Sequence, residues 1–243
     1  METVVTRHLF GSVLLVALAG AGTAQGIVVL GNGDSVNLAA LIGPNSDRVF
    51  CVGDKLFTLE SVTTTSFNPA DFTIIGFIAG TPGLLPNIGF DITGPFGDGS
   101  PGDMSVHEFN IQYSVEVKPE FFAQGIRIKD ASLTFNGSSS GDGSFARVDE
   151  TIFDFDTNTL LNQLSVFDIA GPPQVTRLQD SIDYLPNSYR KLEVNKDMKF
   201  FAAHVNDTAT ASFIRQEFSQ IPTPGAISLL AVAGMAAGRR RRV

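Results

Sequence analysis

Residues 108–118 alternate without a break. Phe109, Ile111, Tyr113, Val115 and Val117 fall on one parity. Glu108, Asn110, Gln112, Ser114, Glu116 and Lys118 fall on the other. Side chains of a β-strand point to opposite faces with period 2, whereas a helix would scatter both sets around its axis. The stretch therefore reads as a half-buried antiparallel strand with a core face and a wet face. Pro119, which has no ladder donor, ends it.

The same signal recurs every ten to fifteen residues. Ile88, Phe90 and Ile92 alternate with Gly89 and Asp91, and residues 72–78 are apolar on both faces, as in a central strand. Ile126 and Ile128 keep one phase, and Ala131, Leu133 and Phe135 keep the opposite one, which predicts a β-bulge at Asp130. Ala146, Val148 and Ile152 share a parity; Leu164 and Val166 form a weaker pair. Leu192, Val194, Met198 and Phe200 also share one, with the charged Lys196 between them, and Ile214 and Phe218 close the series. Turn chemistry separates these runs at Asn32-Gly33-Asp34, Gly53-Asp54, Gly97-Asp98-Gly99 and Gly141-Asp142-Gly143. Residues 157–163 and 179–185 fit short helical turns or edge loops. Nine to twelve short strands at this spacing predict an all-β fold, an antiparallel β-sandwich. A jelly-roll-like arrangement is preferred over an immunoglobulin-like one. Residues 26–220 are long enough for a single domain with a sizeable core.

Both ends are apolar and short. Leu9 to Ala21 form an apolar run behind Arg7, followed by the small residues Gly22, Thr23 and Ala24. This order is that of a secretory signal peptide over residues 1–24. At the other end, Pro222-Thr223-Pro224 forms a stiff hinge, residues 225–238 carry no charge, and Arg239, Arg240, Arg241 and Arg242 follow. As a helix the apolar segment would be about 21 Å long, short of the roughly 30 Å hydrocarbon core. The arginines can snorkel to the headgroups and, by the positive-inside rule, remain cytoplasmic. The expected order is thus a signal helix, a β-sandwich outside, and a short C-terminal transmembrane helix.

At residues 221–243 the chain resembles the PEP-CTERM sorting signal of exported bacterial proteins, which joins a Pro-Glu-Pro motif, a short membrane segment and a basic cluster. Thr223 stands where the family usually has Glu, so the motif is similar to a Pro-Thr-Pro variant. The resemblance implies removal of the leader by signal peptidase and cutting near the motif by an exosortase, a membrane cysteine transpeptidase. It implies an inner-membrane-anchored precursor and then a cell-surface or extracellular location. An unprocessed tail anchor is the plainer alternative. Short matches to exported PEP-CTERM proteins extend through 51–57, 88–90, 113–115, 194–197 and 212–218, but that family has no established activity to carry over.

Charge narrows the partners. Without Arg7 and the four terminal arginines, Lys+Arg falls from 17 to 12. Without Glu2, Asp+Glu falls from 25 to 24, leaving about −12 on residues 26–220. Such a surface argues against nucleic acid or anionic lipid as partners of the folded part. Cys51, the one cysteine, lies in an apolar run and is expected to be a buried thiol.

The residues offer little chemistry. Gly137-Ser138-Ser139-Ser140-Gly141 matches Gly-x-Ser-x-Gly, but a nucleophile elbow needs a following helix, and 142–148 reads as turn and strand. His107 and His204 lack metal-ligand spacing and are expected at strand ends or in solvent. Asp98 and Asp103 flank a loop, and Asp149, Glu150, Asp154 and Asp156 form an acidic stretch. Either could supply oxygens to Ca²⁺, although Asp beside Gly is ordinary turn chemistry. Asn136 and Asn206 match the N-glycosylation pattern; if the chain is bacterial, as the tail resemblance implies, these matches are coincidental. No catalytic residue, cofactor or metal ligand is assigned. The expected function is a non-enzymatic exported surface or matrix protein. An exopolysaccharide-binding module and a secreted hydrolase are the alternatives.

Overall fold

The computed structural model describes residues 26–44, 46–80 and 85–222. The signal segment 1–24, Thr223 and Pro224, the apolar segment 225–238 and Arg239 to Arg242 lie outside the described residues. No helix among the described residues is long and apolar enough to cross a membrane.

In chain order the strands are β1 (Val28–Leu30), β2 (Ser35–Asn37), β3 (Val49–Val52), β4 (Lys55–Thr64), β5 (Thr73–Ala79), β6 (Asn87–Gly97), β7 (His107–Val117), β8 (Ile126–Ile128) and β9 (Asp130–Phe135). They continue with β10 (Ser138–Ser140), β11 (Phe145–Asp154), β12 (Thr159–Ile169), β13 (Val175–Arg177), β14 (Gln179–Asp183), β15 (Lys191–Phe201), β16 (Thr208–Phe218) and β17 (Gln220–Pro222). Two one-turn helices, α1 (Leu38–Ile42) and α2 (Pro119–Ala123), sit in the connections.

One sheet runs β1-β3-β4-β7-β15-β11-β12-β13; the other runs β14-β9-β16-β6-β5-β2, with β10 also on β16. Their inner faces close over one core, so the fold is an all-β sandwich. Pairing is antiparallel throughout the long strands, but β1 joins β3 in parallel, with Val28 opposite Phe50. Such an edge pairing between distant segments leaves no mark in either strand's alternation.

Alternation places the core as the sequence predicts. Phe109, Ile111, Tyr113, Val115 and Val117 are all buried on β7, and Pro119 opens α2 at its first position. Phe50 and Phe57 stack at 5.0 Å, and the Phe90 ring meets them edge-on at 5.4 and 5.1 Å. At the other end of the core, Phe72 lies 4.7 Å from Phe96 and 4.9 Å from Phe109. Gly53 turns the β3–β4 hairpin at φ 54°. Cys51 is buried.

Four expectations are corrected. The phase change near Asp130 is not a bulge: β8 leaves to pair with β17, and β9 enters the seven-member order of the second sheet. Asp130 anchors that switch by accepting the Ser219 N–H at 2.9 Å and the Ser219 hydroxyl. Residues 72–78 are not a central strand: β5 is next to the edge, and on its outer face Phe77 lies under the Arg215 guanidinium at 3.9 Å. Residues 159–163 begin β12, and Gln179–Asp183 forms β14, an edge strand against β9. Lastly, Lys196 does not interrupt the oily face of β15; it belongs to it and is fully buried.

Phe90 sits where three rings meet, so Phe90→Ala leaves a void that neighbouring backbone cannot fill. Denaturant unfolding should show a loss of about 3–5 kcal/mol.

Candidate functional site

Polar side chains gather at four places. The first is the loop between β6 and β7, where Asp98, Asp103 and His107 bring one ligand atom each within 4.8 Å of one another. Asp98 Oδ1 accepts the Ser100 N–H at 2.8 Å, Oδ2 accepts the Ala202 N–H at 2.8 Å, and its side chain is wholly buried. His107 Nε2 lies 3.4 Å from Asp98 Oδ1, and its Nδ1 accepts the Gly99 N–H at 3.4 Å. His107 is indeed at a strand end, but it is buried rather than solvent-facing. Asp103 is exposed, and its Oδ1 accepts the Ser105 N–H at 2.7 Å.

Calcium takes six to eight oxygens. This loop offers two carboxylates and an imidazole, and the carboxylate of Asp98 is committed to backbone N–H groups. Its chemistry is that of a clasp joining the β6–β7 loop to the end of β15. Beside it opens a groove of about 550 Å³ whose wall includes Asn68, Asp71, Asp103, Ser105 and the half-buried Phe67.

The second place is Gly137 to Gly141. Ser139 lies in β10, paired with Ala209, and the next element is a strand, β11, not a helix. Its N–H donates to Asp168 Oδ2 at 2.6 Å, and its hydroxyl donates to the Asp168 carboxylate and backbone oxygen at 2.9 Å each. His204 is elsewhere, exposed, with Nδ1 2.8 Å from Asp207. Asp207 also accepts from the Ser144 hydroxyl at 3.1 Å. The serine, histidine and acid of a hydrolase are therefore not brought together here.

The third place is beside β17. Lys55 is fully buried and donates to Asp54 Oδ1 at 2.8 Å and to the Gln220 amide oxygen. Asp54 and Gln220 line an apolar cleft of about 440 Å³ with Ile78, Ile88, Phe121 and Ile126.

The fourth is inside the core. Lys196 on β15 donates to Glu150 on β11, its direct cross-strand partner, and to Gln216 Oε1 on β16 at 2.8 Å. Asp149 and Glu150 point to opposite faces, so the acidic stretch 149–156 does not act as one cluster. Asp149 stays outside with Arg147 and Ser165, while Glu150 is buried. Parity could have revealed both members: Glu150 continues Ala146, Val148 and Ile152, and Lys196 continues Val194 and Met198. Burial raises the Tyr113 hydroxyl well above its usual range, and the Glu150 charge raises it further.

No family model matches the chain, and no curated protein matches it. Among solved structures it has a likeness to a carbohydrate-binding module studied for specific mannan recognition. That likeness has 9% identity over 76% of this chain and 95% of that one, with a TM-score of 0.28. At that TM-score the likeness carries no argument about ligand.

Asp168 gives the domain a specific acid sensitivity. Burial pushes its carboxyl up, but donors from Thr176, Gln174 and Ser139 outweigh this and hold it below the ordinary range. A carboxyl lowered on folding stabilises above its unfolded value, about 3.9, and that contribution is lost as pH falls through the lower folded value. Equilibrium unfolding followed from pH 7 downward should therefore fall more steeply for wild type than for Asp168→Asn. At pH 7 Asp168→Ala, which orphans these donors, should cost about 2–4 kcal/mol.

Proposed function

We propose that this chain is an exported, non-enzymatic β-sandwich that serves at the cell surface or in the extracellular matrix. It reaches the inner membrane as a precursor held by residues 225–238, and an exosortase cuts it near Pro222-Thr223-Pro224. The observation that carries this reading is the order of residues 222–242: a Pro-Thr-Pro hinge, an uncharged run and four arginines. Just before the hinge the chain is tied to the sandwich, with Gln220 opposite Ile128 on β8 and buried on Lys55. The commitment of Ser139 to Asp168 and of Glu150 to Lys196 supports a structural role over a hydrolase. A jelly-roll-like topology is supported by β15 and β16, which return late in the chain to the middle of each sheet.

Mass spectrometry of the mature protein tests this proposal. A C-terminus within a few residues of Pro222 and an N-terminus near Gln25 are expected. Mature protein that retains Arg239 to Arg242 overturns the processing.

One observation favours a glycan-binding role within the same reading. The groove beside His107 combines hydrogen-bonding side chains at Asn68, Asp71 and Asp103 with the half-buried ring of Phe67. A glycan array with the mature protein should then show retention that Asn68→Ala and Asp71→Ala together reduce at least tenfold. Retention of nothing by wild type ends this second role without touching the first.

A further inference from the structure

Five buried side-chain atoms among the described residues have no hydrogen-bond partner, and four of them belong to one neighbourhood. They are Glu150 Oε1, Gln216 Nε2, Tyr113 Oη and Tyr184 Oη; the fifth is Asp54 Oδ2. Both tyrosine hydroxyls feel the charge of Glu150. Native cores leave few such atoms, because each costs the full desolvation of a polar group. Here they surround the contact between Lys196, Glu150 and the Gln216 amide.

These three side chains are the parts of an aminolysis reaction. Lys196 supplies an amine on β15, Gln216 supplies a carboxamide on β16 in the facing sheet, and Glu150 supplies an acid–base group on β11. Lys196 Nζ already lies 2.8 Å from the amide oxygen. All three are at most 1% exposed, so water competes poorly as a nucleophile.

We propose that Lys196 and Gln216 form an intramolecular isopeptide bond that staples the two sheets, with Glu150 as its catalytic residue. Glu150 takes a proton from Nζ, and the freed electron pair attacks Gln216 Cδ. The Nζ–Cδ bond forms and the Cδ–Nε2 bond breaks. Glu150 passes a proton to Nε2, which leaves as ammonia, and takes the next proton from Nζ, so it ends protonated. Nothing is oxidised or reduced, and no co-reactant is needed. Fixed contact replaces a bimolecular encounter, which is how an ordinary carboxamide becomes reactive toward an amine.

Two further facts suit this bond. Burial pushes the Lys196 ammonium down, more than the Glu150 charge pushes it up, which favours the neutral amine. The backbone at the target is also tightly placed: a Cβ on Gly89 would sit 1.7 Å from the Gln216 carbonyl oxygen, so β6 holds β16 closely at this point. The inference does not depend on how the chain is sorted.

Tryptic peptide mapping of the denatured full chain decides the matter. A bond leaves Lys196 resistant to trypsin and yields a branched species that joins peptide 192–199 to the peptide beginning at Gln216, lighter than their sum by one ammonia. Separate linear peptides, with cleavage after Lys196, overturn the proposal and leave a non-covalent cluster bridged by buried water. Lys196→Met with Glu150→Gln gives an unlinked reference of neutral core. It should melt about 6–12 °C lower, as loss of a loop-closing cross-link implies. Glu150→Gln alone should lose the branched peptide. A branched peptide at wild-type yield in that variant overturns the role of Glu150.

Discussion

A lysine placed between two sheets constrains the rest of this molecule. Lys196 occupies a core position between Val194 and Met198, where any unpaired charge would cost several kcal/mol. The cost is met only if Glu150 stands directly across the ladder and Gln216 faces it from the other sheet. A slip of one residue in β11 or β15 would turn Glu150 or Lys196 to the outer face and leave the other buried alone. Apolar neighbours tolerate repacking; this contact does not. It therefore fixes the register of β11, β15 and β16 together, around which the phenylalanines close.

Much of this fold was legible in the sequence. Long strands with one oily face declare themselves by period, and 108–118 does so because every second residue is both apolar and buried. Short edge strands do not. β14 alternates between exposed and half-buried residues, none of them strongly apolar except Ile182, so it reads as loop until its partner β9 is known. The switch at Lys129 showed in sequence only as a change of phase, and phase alone does not say whether a strand bulges or changes partner. The parallel β1–β3 contact is set by chain path, not by local pattern.

The polar residues were legible in reverse. Asp98 next to glycine reads correctly as turn chemistry, yet its carboxylate also reaches Ala202, over a hundred positions away, which no local rule supplies. Ser139 carries the pattern of a nucleophile and is instead a strand residue bonded to Asp168. Lys196, a charge set among apolar residues of one parity, and Glu150, part of an acidic stretch in the sequence, sit at the centre. Parity was the available signal: a charge that keeps the phase of its apolar neighbours belongs inside with a partner of its own.

That rule extends to Lys55, which shares the phase of Phe57 and Leu59 and is likewise buried on a carboxylate and a glutamine. The two trios differ in one respect. Asp54 and Gln220 border an open cleft beside β17, whereas Glu150 and Gln216 are sealed between sheets. At the rim, water can enter and hydrate the groups, so the pair serves to hold β17 against the domain. In the centre, the same groups have only one another, and a core with a single cysteine has no disulfide with which to join its halves. The sealed trio is thus the one placed to bear tension between the sheets, and the rim trio is the one placed at β17, next to the Pro-Thr-Pro motif.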